Sequence, residues 1–166
     1  SGLQLSGNFV LATVHRQENT DTRESLTGII DALNTINNSM QVVVPMHPRT
    51  QKIVGELNLE TRFTIIPPVG YFDMVELLKN CSVVLTDSGG LQKEAFFFKK
   101  GCVTLRNETE WTELVDNGFN TLVGANNESI IKGWETMMGK THNFSINLYG
   151  DGRASERIVS VISRIQ

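Results

Sequence analysis

The chain alternates about six times between short apolar runs and segments in which apolar residues recur at helical spacing. Apolar residues fill each run throughout, which is typical of strands whose two faces are both covered by helices. The alternation therefore predicts an α/β fold with a doubly wound parallel sheet of Rossmann-like type. The predicted strands cover residues 9–15, 41–46, 62–66, 82–86, 102–106 and 120–124.

Capping residues and apolar spacing place the helices between these strands. Asp21 with Glu24, and Asp73 with Glu76, have the spacing of capping boxes and predict two helix starts. Pro48 is predicted to begin a short helix, because proline is favoured at the first helical position. The predicted helices are one from Asp21 through Ile36, then 48–57, 74–79, about 89–98, about 109–117, 130–138 and 154–165.

The composition indicates one globular domain spanning residues 1–166, with 40% hydrophobic and 20% charged residues. Apolar runs are far shorter than the ~20 residues of a membrane span, and a net charge of −3 without a basic stripe argues against nucleic acid. We therefore expect a cytoplasmic protein with neither a membrane nor a nucleic acid as partner. The first residues lack an initiator Met, so we expect a piece of a longer protein.

Two cysteines, Cys81 and Cys102, lie in apolar, strand-like contexts. We expect both to be buried thiols in a reducing compartment. Neither has Cys or His neighbours at the spacing of metal ligands, so no metal site is predicted.

A strand gives way to a helix at Ser88-Gly89-Gly90. Backbone N–H groups at a helix start lack internal partners, and glycines let an anion come close to them. Glu94, one turn further on, could then reach the hydroxyls of a ribose whose phosphate sits at the helix start. The alternatives are a tight turn capped by the serine and a solvated glutamate. The stretch is neither G-x-G-x-x-G nor Walker A, which argues against NAD and against P-loop NTP hydrolysis.

Other polar residues follow the ends of predicted strands, where open α/β sheets bind ligands. His15, Arg16 and Glu18 follow the first strand, His47 the second and Arg106 the fifth. Histidine can donate a proton near pH 7, and arginine is a planar donor suited to phosphate or carboxylate. The alternatives are a loop held by its own polar contacts and, at His47, an ordinary helix start.

The remaining aromatic and acidic side chains are given structural roles. We expect the aromatic residues to pack in the core, and the acidic ones to form a favourable charge set in the first turn of a helix. The aromatic residues are Phe96, Phe97, Phe98, Trp111 and Trp134, and the acidic ones are Glu108, Glu110 and Glu113.

Six motifs together resemble a known family. They are VHRQEN (14–19), HPRT (47–50), PPVGYFDMVELL (67–78), TDSGGLQKEA (86–95), LRNETEW (105–111) and YGDGRASERI (149–158). Over nearly all 166 residues, the chain resembles the C-terminal half of the non-hydrolysing UDP-N-acetylglucosamine 2-epimerases. The resemblance implies one half of a GT-B two-domain architecture, with the N-terminal half absent, and a full-length protein that forms a homodimer.

The resemblance also implies a site for UDP and a UDP-sugar. In that site Ser88, Gly89 and Gly90 hold the phosphates, Glu94 binds the ribose hydroxyls, and the stretch 68–74 flanks the uracil. The implied catalytic residue is His15, and the implied substrate-binding residues are Arg16, Glu18, His47, Pro68, Met74, Ser88, Gly89, Gly90, Glu94 and Arg106.

The implied reaction inverts C2 of UDP-N-acetylglucosamine to give UDP-N-acetylmannosamine. UDP is eliminated to leave a 2-acetamidoglucal and is added back after C2 is reprotonated on the other face. The implied reaction requires neither NAD nor a metal, so no cofactor is expected. The charge that develops on the departing diphosphate must be met by preorganised donors. The carboxylates that act at C2 are implied to lie in the absent half, so we do not expect this chain alone to epimerise.

Two departures leave the sugar open. Trp111-Thr112 replaces an Arg-Pro pair of some members, and Lys93 stands where an acidic residue is common. The NETEW version also resembles epimerases of UDP-2,3-diacetamido-2,3-dideoxyglucuronate. Other interpretations are the donor half of a GT-B glycosyltransferase and a receiver-like regulator. A receiver would need acidic residues after the first strand, where this chain has His15 and Arg16.

Overall fold

The computed structural model describes residues 8–164 and contains one six-stranded parallel sheet with helices on both faces. The strands are β1 Val10–Thr13, β2 Val42–Pro45, β3 Thr64–Ile66, β4 Val83–Thr86, β5 Gly101–Thr104 and β6 Asn120–Leu122. The helices are α1 Gln17–Thr20, α2 Arg23–Asn37, α3 Pro48–Glu56, α4 Tyr71–Asn80, α5 Gly89–Phe97, α6 Thr112–Asp116, α7 Asn127–Gly139 and α8 Ala154–Ile162. The predicted doubly wound parallel α/β fold is confirmed.

The strand order is β3-β2-β1-β4-β5-β6. The order reverses between β1 and β4, and such a switch point opens a crevice at the carboxyl ends of the strands. The two central strands pair in register, from Val10 with Val83 to Thr13 with Thr86. The residues that follow Thr13 and Thr86 therefore lie side by side at that edge.

Alternate residues of each strand feed two separate cores. Val10 and Ala12 of β1 face one core, to which α2 and α7 contribute, whereas Phe9 and Leu11 face the other, to which α4 and α5 contribute. Both sets are fully buried. This is why the strands read as continuous apolar runs in the sequence.

Both predicted capping boxes are wrong. Helix α2 begins at Arg23 with Thr22 as its N-cap, while Asp21 ends α1 and its carboxylate binds Arg49 at 2.6 Å. Helix α4 begins at Tyr71, earlier than the predicted 74, with Gly70 as its N-cap. In both cases the acidic residue that has the capping spacing is engaged elsewhere or already lies inside the helix.

Apart from α1, the remaining helices lie where the sequence predicted them, although some of their first and last residues differ. Pro48 is the first residue of α3, as predicted. The short helix α1 was not predicted, because its four residues are too few for a periodic signal. The predicted helix over 109–117 shrinks to α6. The last residues of the predicted helix 154–165, and the chain start on which we based the expectation of a longer protein, lie outside the described residues.

Both cysteines are free and buried, as predicted, and burial raises the pKa of each thiol to about 12. Cys102 lies in β5, whereas Cys81 caps the end of α4 and does not lie in a strand. Within residues 8–164, no helix has both the length and the apolar character that a membrane span requires.

Helix α8 carries an apolar face that the rest of the described domain leaves uncovered. Ile158, Val159, Val161 and Ile162 are 58% to 63% exposed. Monomeric domains rarely expose contiguous apolar faces of this kind.

We predict that Ile158→Ala changes the free energy of unfolding by less than about 0.5 kcal/mol, because little of the side chain is buried. The matched change Ile130→Ala, at a fully buried position of α7, should cost about 2–5 kcal/mol by leaving a cavity. Urea unfolding of both variants measures the difference. A loss at Ile158 as large as that at Ile130 would show that α8 packs onto this domain in solution.

Candidate functional site

A cavity of about 390 Å³ opens at the carboxyl edge of the sheet, between the ends of β1, β2 and β4. Its lining draws on three parts of the fold: the strand ends, the start of α5, and the segment that leads into α4. It brings together seven of the residues predicted from the sequence: His15, His47, Pro68, Met74, Ser88, Gly90 and Glu94.

The start of α5 forms one wall of this cavity. The hydroxyl of Ser88 accepts from Leu91 N at 3.4 Å, so Ser88 is the N-cap of α5. A serine cap was one of the two interpretations that the sequence left open at this turn. Ser88 N in turn donates to Thr86 Oγ1 at 2.9 Å, which fixes the turn on the end of β4. A Cβ added at Gly90 would meet only the Ser88 hydroxyl, at 4.0 Å, so the backbone there is open to a ligand.

Gly89 has a different environment from Gly90. It is buried, and a Cβ there would collide with the Glu110 carboxylate, with Arg16 Nη2 also nearby at 3.8 Å. The residue lies outside the cavity lining described above. The missing side chain at Gly89 thus leaves room for the Glu110 carboxylate, whereas Gly90 borders open space and lines the cavity.

A buried polar network holds this helix start in place. Gln92 is fully buried, and its Oε1 accepts from Thr109 Oγ1 at 2.6 Å and from Asn120 Nδ2 at 2.9 Å. Its Nε2 donates to the carbonyl of Ser88 at 3.2 Å. One side chain therefore ties the turn to β6 and to the loop before α6.

His15 lies beside a fully buried carboxylate. His15 Nδ1 is 3.0 Å from Asp87 Oδ1, and the histidine side chain is 52% exposed. The hydrogen bond with Asp87 raises the pKa of His15, although burial and the charge of Arg16 oppose this. Burial alone would raise the pKa of Asp87, but its hydrogen bonds with the His15 ring and with the backbone of Arg16 and His15 outweigh that effect and lower it.

Glu18 and Arg106 line a neighbouring cavity of about 310 Å³ instead of the first one. The Arg106 side chain is only 9% exposed, and its Nε lies 3.4 Å from Glu18 Oε1. Its Nη1 donates to Glu110 Oε2 at 2.9 Å. Glu110's own backbone N–H, together with Arg106, lowers the pKa of Glu110. The structure thus divides the predicted rim into two adjoining parts.

Three side chains that organise the site, Asp87, Gln92 and Asn120, have no role predicted from the sequence. The strand-end rule points to Asp87 after the fourth predicted strand, as it points to His15 after the first, but it assigns Asp87 no specific role. Gln92 and Asn120 have no comparable signal in the sequence. Sequence spacing does not distinguish a buried glutamine within a helix from a solvent-exposed one. Glu110 lies before α6 and contacts Arg106, so its assignment to a helix's first turn is wrong.

The aromatic predictions hold in part. Trp111 packs in the core around Phe96, and its Nε1 donates to the carbonyl of Gly89 at 2.8 Å. Lys93 Nζ lies 4.5 Å from the ring centroid of Trp111 and 4.4 Å from that of Tyr149, a cation–π arrangement. Phe97 contradicts its predicted core position, since it is 56% exposed.

Comparison with known proteins gives consistent matches along the chain. The family described as UDP-N-acetylglucosamine 2-epimerase matches residues 2–163. The UDP-2,3-diacetamido-2,3-dideoxy-D-glucuronate 2-epimerase of Pseudomonas aeruginosa is 49% identical over 165 residues, which are 99% of this chain and 47% of that protein. The chain thus spans about half the length of the curated relatives it matches.

Solved structures show the same fold. The UDP-GlcNAc 2-epimerase of Methanocaldococcus jannaschii, in complex with UDP-GlcNAc and UDP, has a TM-score of 0.84 and 40% identity, covering 95% of this chain and 45% of that one. A calicheamicin glycosyltransferase has a TM-score of 0.64 at 14% identity, covering 95% of this chain and 43% of that one, a likeness of fold alone.

We predict that Gln92→Leu destabilises the domain by about 1–3 kcal/mol, because the buried Asn120 amide and the part-buried Thr109 hydroxyl lose their acceptor. Gln51→Leu makes the same chemical change at an exposed position of α3 and should stay within about 0.5 kcal/mol of the parent. Urea unfolding midpoints compare the two. Equal effects would mean that the network does not hold the helix start.

Proposed function

The chain belongs to the UDP-N-acetylglucosamine 2-epimerase family, and on that premise we propose that it is the UDP-binding half of an enzyme that inverts C2 of a UDP-linked 2-acetamido sugar. One observation carries the proposal most directly. The open helix start at Ser88 and Gly90, the Glu94 carboxylate and the His15 ring all line a single cavity.

The diphosphate is proposed to bind at the start of α5. The first backbone N–H groups of a helix lack intrahelical partners, and the helix dipole adds partial positive charge. Gly90 leaves those groups accessible, and the Ser88 hydroxyl stands next to them. His15, on the facing strand end, supplies a further donor. Together they meet the charge of a departing diphosphate.

The nucleoside is proposed to extend from this point along the same cavity. Glu94 lies one turn into α5, where its carboxylate can accept from the ribose hydroxyls. Pro68 and Met74 offer apolar contacts for a uracil ring, and His47 closes the far rim from the end of β2.

The neighbouring rim is proposed to contact the sugar and to hold the helix start in shape. Arg106 pairs there with Glu18 and Glu110, and Arg16, which lies near Glu110 beside Gly89, is proposed to act with this group. Gly89 is proposed to act on the phosphates indirectly, since its missing side chain allows Glu110 to approach the turn.

We further propose that residues 1–166 form the C-terminal, UDP-binding half of a GT-B protein. Two observations support this: the matched relatives are about twice as long, and α8 exposes an apolar face. An N-terminal half would supply the carboxylates that act at C2 and the opposite wall of the cleft. The full-length protein is proposed to form a homodimer. This chain alone should then bind UDP without epimerising.

Two versions of the proposal differ in the sugar that is attached to UDP in the substrate. UDP-N-acetylglucosamine, converted to UDP-N-acetylmannosamine, is the substrate that the family's description indicates. The 49% identity to the P. aeruginosa enzyme favours UDP-2,3-diacetamido-2,3-dideoxyglucuronate as the alternative. Incubating the full-length protein with each sugar nucleotide and following C2 inversion by proton NMR decides between them. Sugar transfer to an acceptor, without inversion, would favour a glycosyltransferase.

We predict that Glu94→Gln weakens UDP binding by about 1–3 kcal/mol, because the ribose hydroxyls lose a charged acceptor. Pyrophosphate has no ribose, so its affinity should change much less. Glu135→Gln, on the exposed face of α7, serves as the matched control and should leave both affinities unchanged. Isothermal titration of both ligands measures these changes. Equal losses for UDP and pyrophosphate would place Glu94 away from the ribose.

We predict that Gly90→Ala lowers UDP affinity while stability is kept or raised by up to about 1 kcal/mol, since alanine favours the helix and the added methyl meets open space. Gly55→Ala in α3, also with open space around its Cα, should raise stability similarly without touching UDP binding. Melting curves with and without millimolar UDP report both quantities. Full UDP-dependent stabilisation of Gly90→Ala would rule out this turn as the phosphate site.

A further inference from the structure

We infer that Asp87 is a positioning residue for the proposed catalytic histidine: its carboxylate holds Nδ1 of His15, so that Nε2 is the nitrogen left for the cavity. The role assigned to the proton on Nε2 rests on the proposed function. The contact between the two side chains does not depend on it.

The surroundings of Asp87 consist of hydrogen-bond donors. The carboxylate is fully buried at the end of β4. Oδ2 accepts from the backbone N of His15 at 2.9 Å, from the backbone N of Arg16 at 2.9 Å and from Asn19 Nδ2 at 3.2 Å. Oδ1 accepts from the backbone N of His15 at 3.2 Å and faces the ring Nδ1 at 3.0 Å. Such an environment favours the ionised carboxylate.

Of these donors, the imidazole is the one that can carry a full positive charge. An opposite charge nearby favours the ionised form of each partner. Asp87 therefore favours protonated His15, in agreement with the raised pKa of the histidine and the lowered pKa of the aspartate. The charge of Arg16 acts in the opposite direction, and His47 and Glu94 are the other titratable side chains on the same cavity.

The contact also fixes the tautomer. An ionised carboxylate only accepts hydrogen bonds, so Nδ1 carries its hydrogen whether the ring is neutral or charged. Nε2 is then an N–H donor in the charged ring and an acceptor in the neutral ring. His15 lines the cavity beside Ser88 and Gly90, next to the proposed diphosphate seat.

The proton balance of the proposed elimination follows. A base from the other half of the protein removes the C2 proton, and the C–H electron pair forms the C1=C2 bond. The C1–O bond breaks, its electron pair goes to the diphosphate oxygen, and that oxygen takes the proton from His15 Nε2. In re-addition an acid from the other half of the protein supplies a proton, and the C1=C2 electron pair takes it to form the new C2–H bond. The diphosphate oxygen attacks C1 and returns its own proton to Nε2. Asp87 stays ionised throughout and keeps Nδ1 protonated.

The variant Asp87→Asn tests which atom of residue 87 holds His15 Nδ1, because an amide has one acceptor atom, the oxygen, and one donor group, the NH₂. Three donors converge on Oδ2, so the amide oxygen should take that place and the NH₂ group should take the place of Oδ1. The NH₂ group would then donate to His15 Nδ1 and force the hydrogen of the neutral ring onto Nε2. The charged partner is lost at the same time.

The test is a pH series of long-range proton–nitrogen NMR spectra of the histidine rings, first on the unaltered chain. We expect neutral His15 to be the Nδ1–H tautomer and its titration midpoint to lie above the ordinary value of about 6.5. Because the raised pKa belongs to the folded state, the contact stabilises the fold below that ordinary value. This contribution is lost as pH rises through the raised pKa. In Asp87→Asn the tautomer should switch to Nε2–H and the midpoint should move to lower pH.

Asn19→Ala is the structural control. It removes another partner of Asp87, and a bond to the Leu105 carbonyl, but leaves the contact with His15. It should lower stability and leave the tautomer and midpoint of His15 unchanged. A neutral Nε2–H tautomer in the unaltered chain, or a midpoint at or below the ordinary value, would overturn the inference even if Asp87→Asn does not fold.

The experiment uses no nucleotide, so it is separable from the proposed function. A UDP titration of the unaltered chain tests that function independently. If UDP fails to bind while His15 shows the expected tautomer, the inference about Asp87 stands and the proposed function falls.

Discussion

The parallel pairing of β1 with β4 aligns Thr13 with Thr86, and their hydroxyls meet at 2.6 Å. This register determines which residues come together where the two strands end. The loop after β1 then lies against Asp87, which binds it through three backbone hydrogen bonds. A shift of one residue would turn the alternate side chains toward the wrong core. The two apolar cores therefore hold the site in register.

Several hydrogen-bond donors lie together at the carboxyl edge of the sheet, where β1 and β4 end. The backbone N–H groups of the first turn of α5 lie beside the cavity, next to the Ser88 hydroxyl. His15 lines the same cavity from the end of β1. Two carboxylates close to these groups have distinct surroundings: Asp87 is buried under His15, and Glu110 is paired with Arg106. Fixed donors need no reorganisation when negative charge develops, which is what the proposed departure of the diphosphate requires.

The fold and seven of the residues that line the cavity could be predicted from the sequence, for physical reasons. Strands buried on both faces leave an unmistakable apolar pattern, and the strand-end rule led to His15, His47 and Ser88. It could not separate Gly89 from Gly90, because the difference comes from Glu110, which lies about twenty residues away in sequence. Nor could it identify Gln92, whose partners come from two other elements. The capping box at Asp21 failed because Asp21 binds Arg49, a contact that local spacing does not encode. The one at Asp73 failed because α4 already begins at Tyr71.

The central claim is that UDP binds with its diphosphate at the start of α5. A titration of the chain with UDP, followed through its backbone amide proton and nitrogen shifts, tests this residue by residue. The account predicts the largest changes at residues 88–91, with smaller ones at 68–74 and 15–16. Largest changes at the neighbouring cavity, around Gly124 and Ala125, with residues 88–91 unmoved, would contradict it.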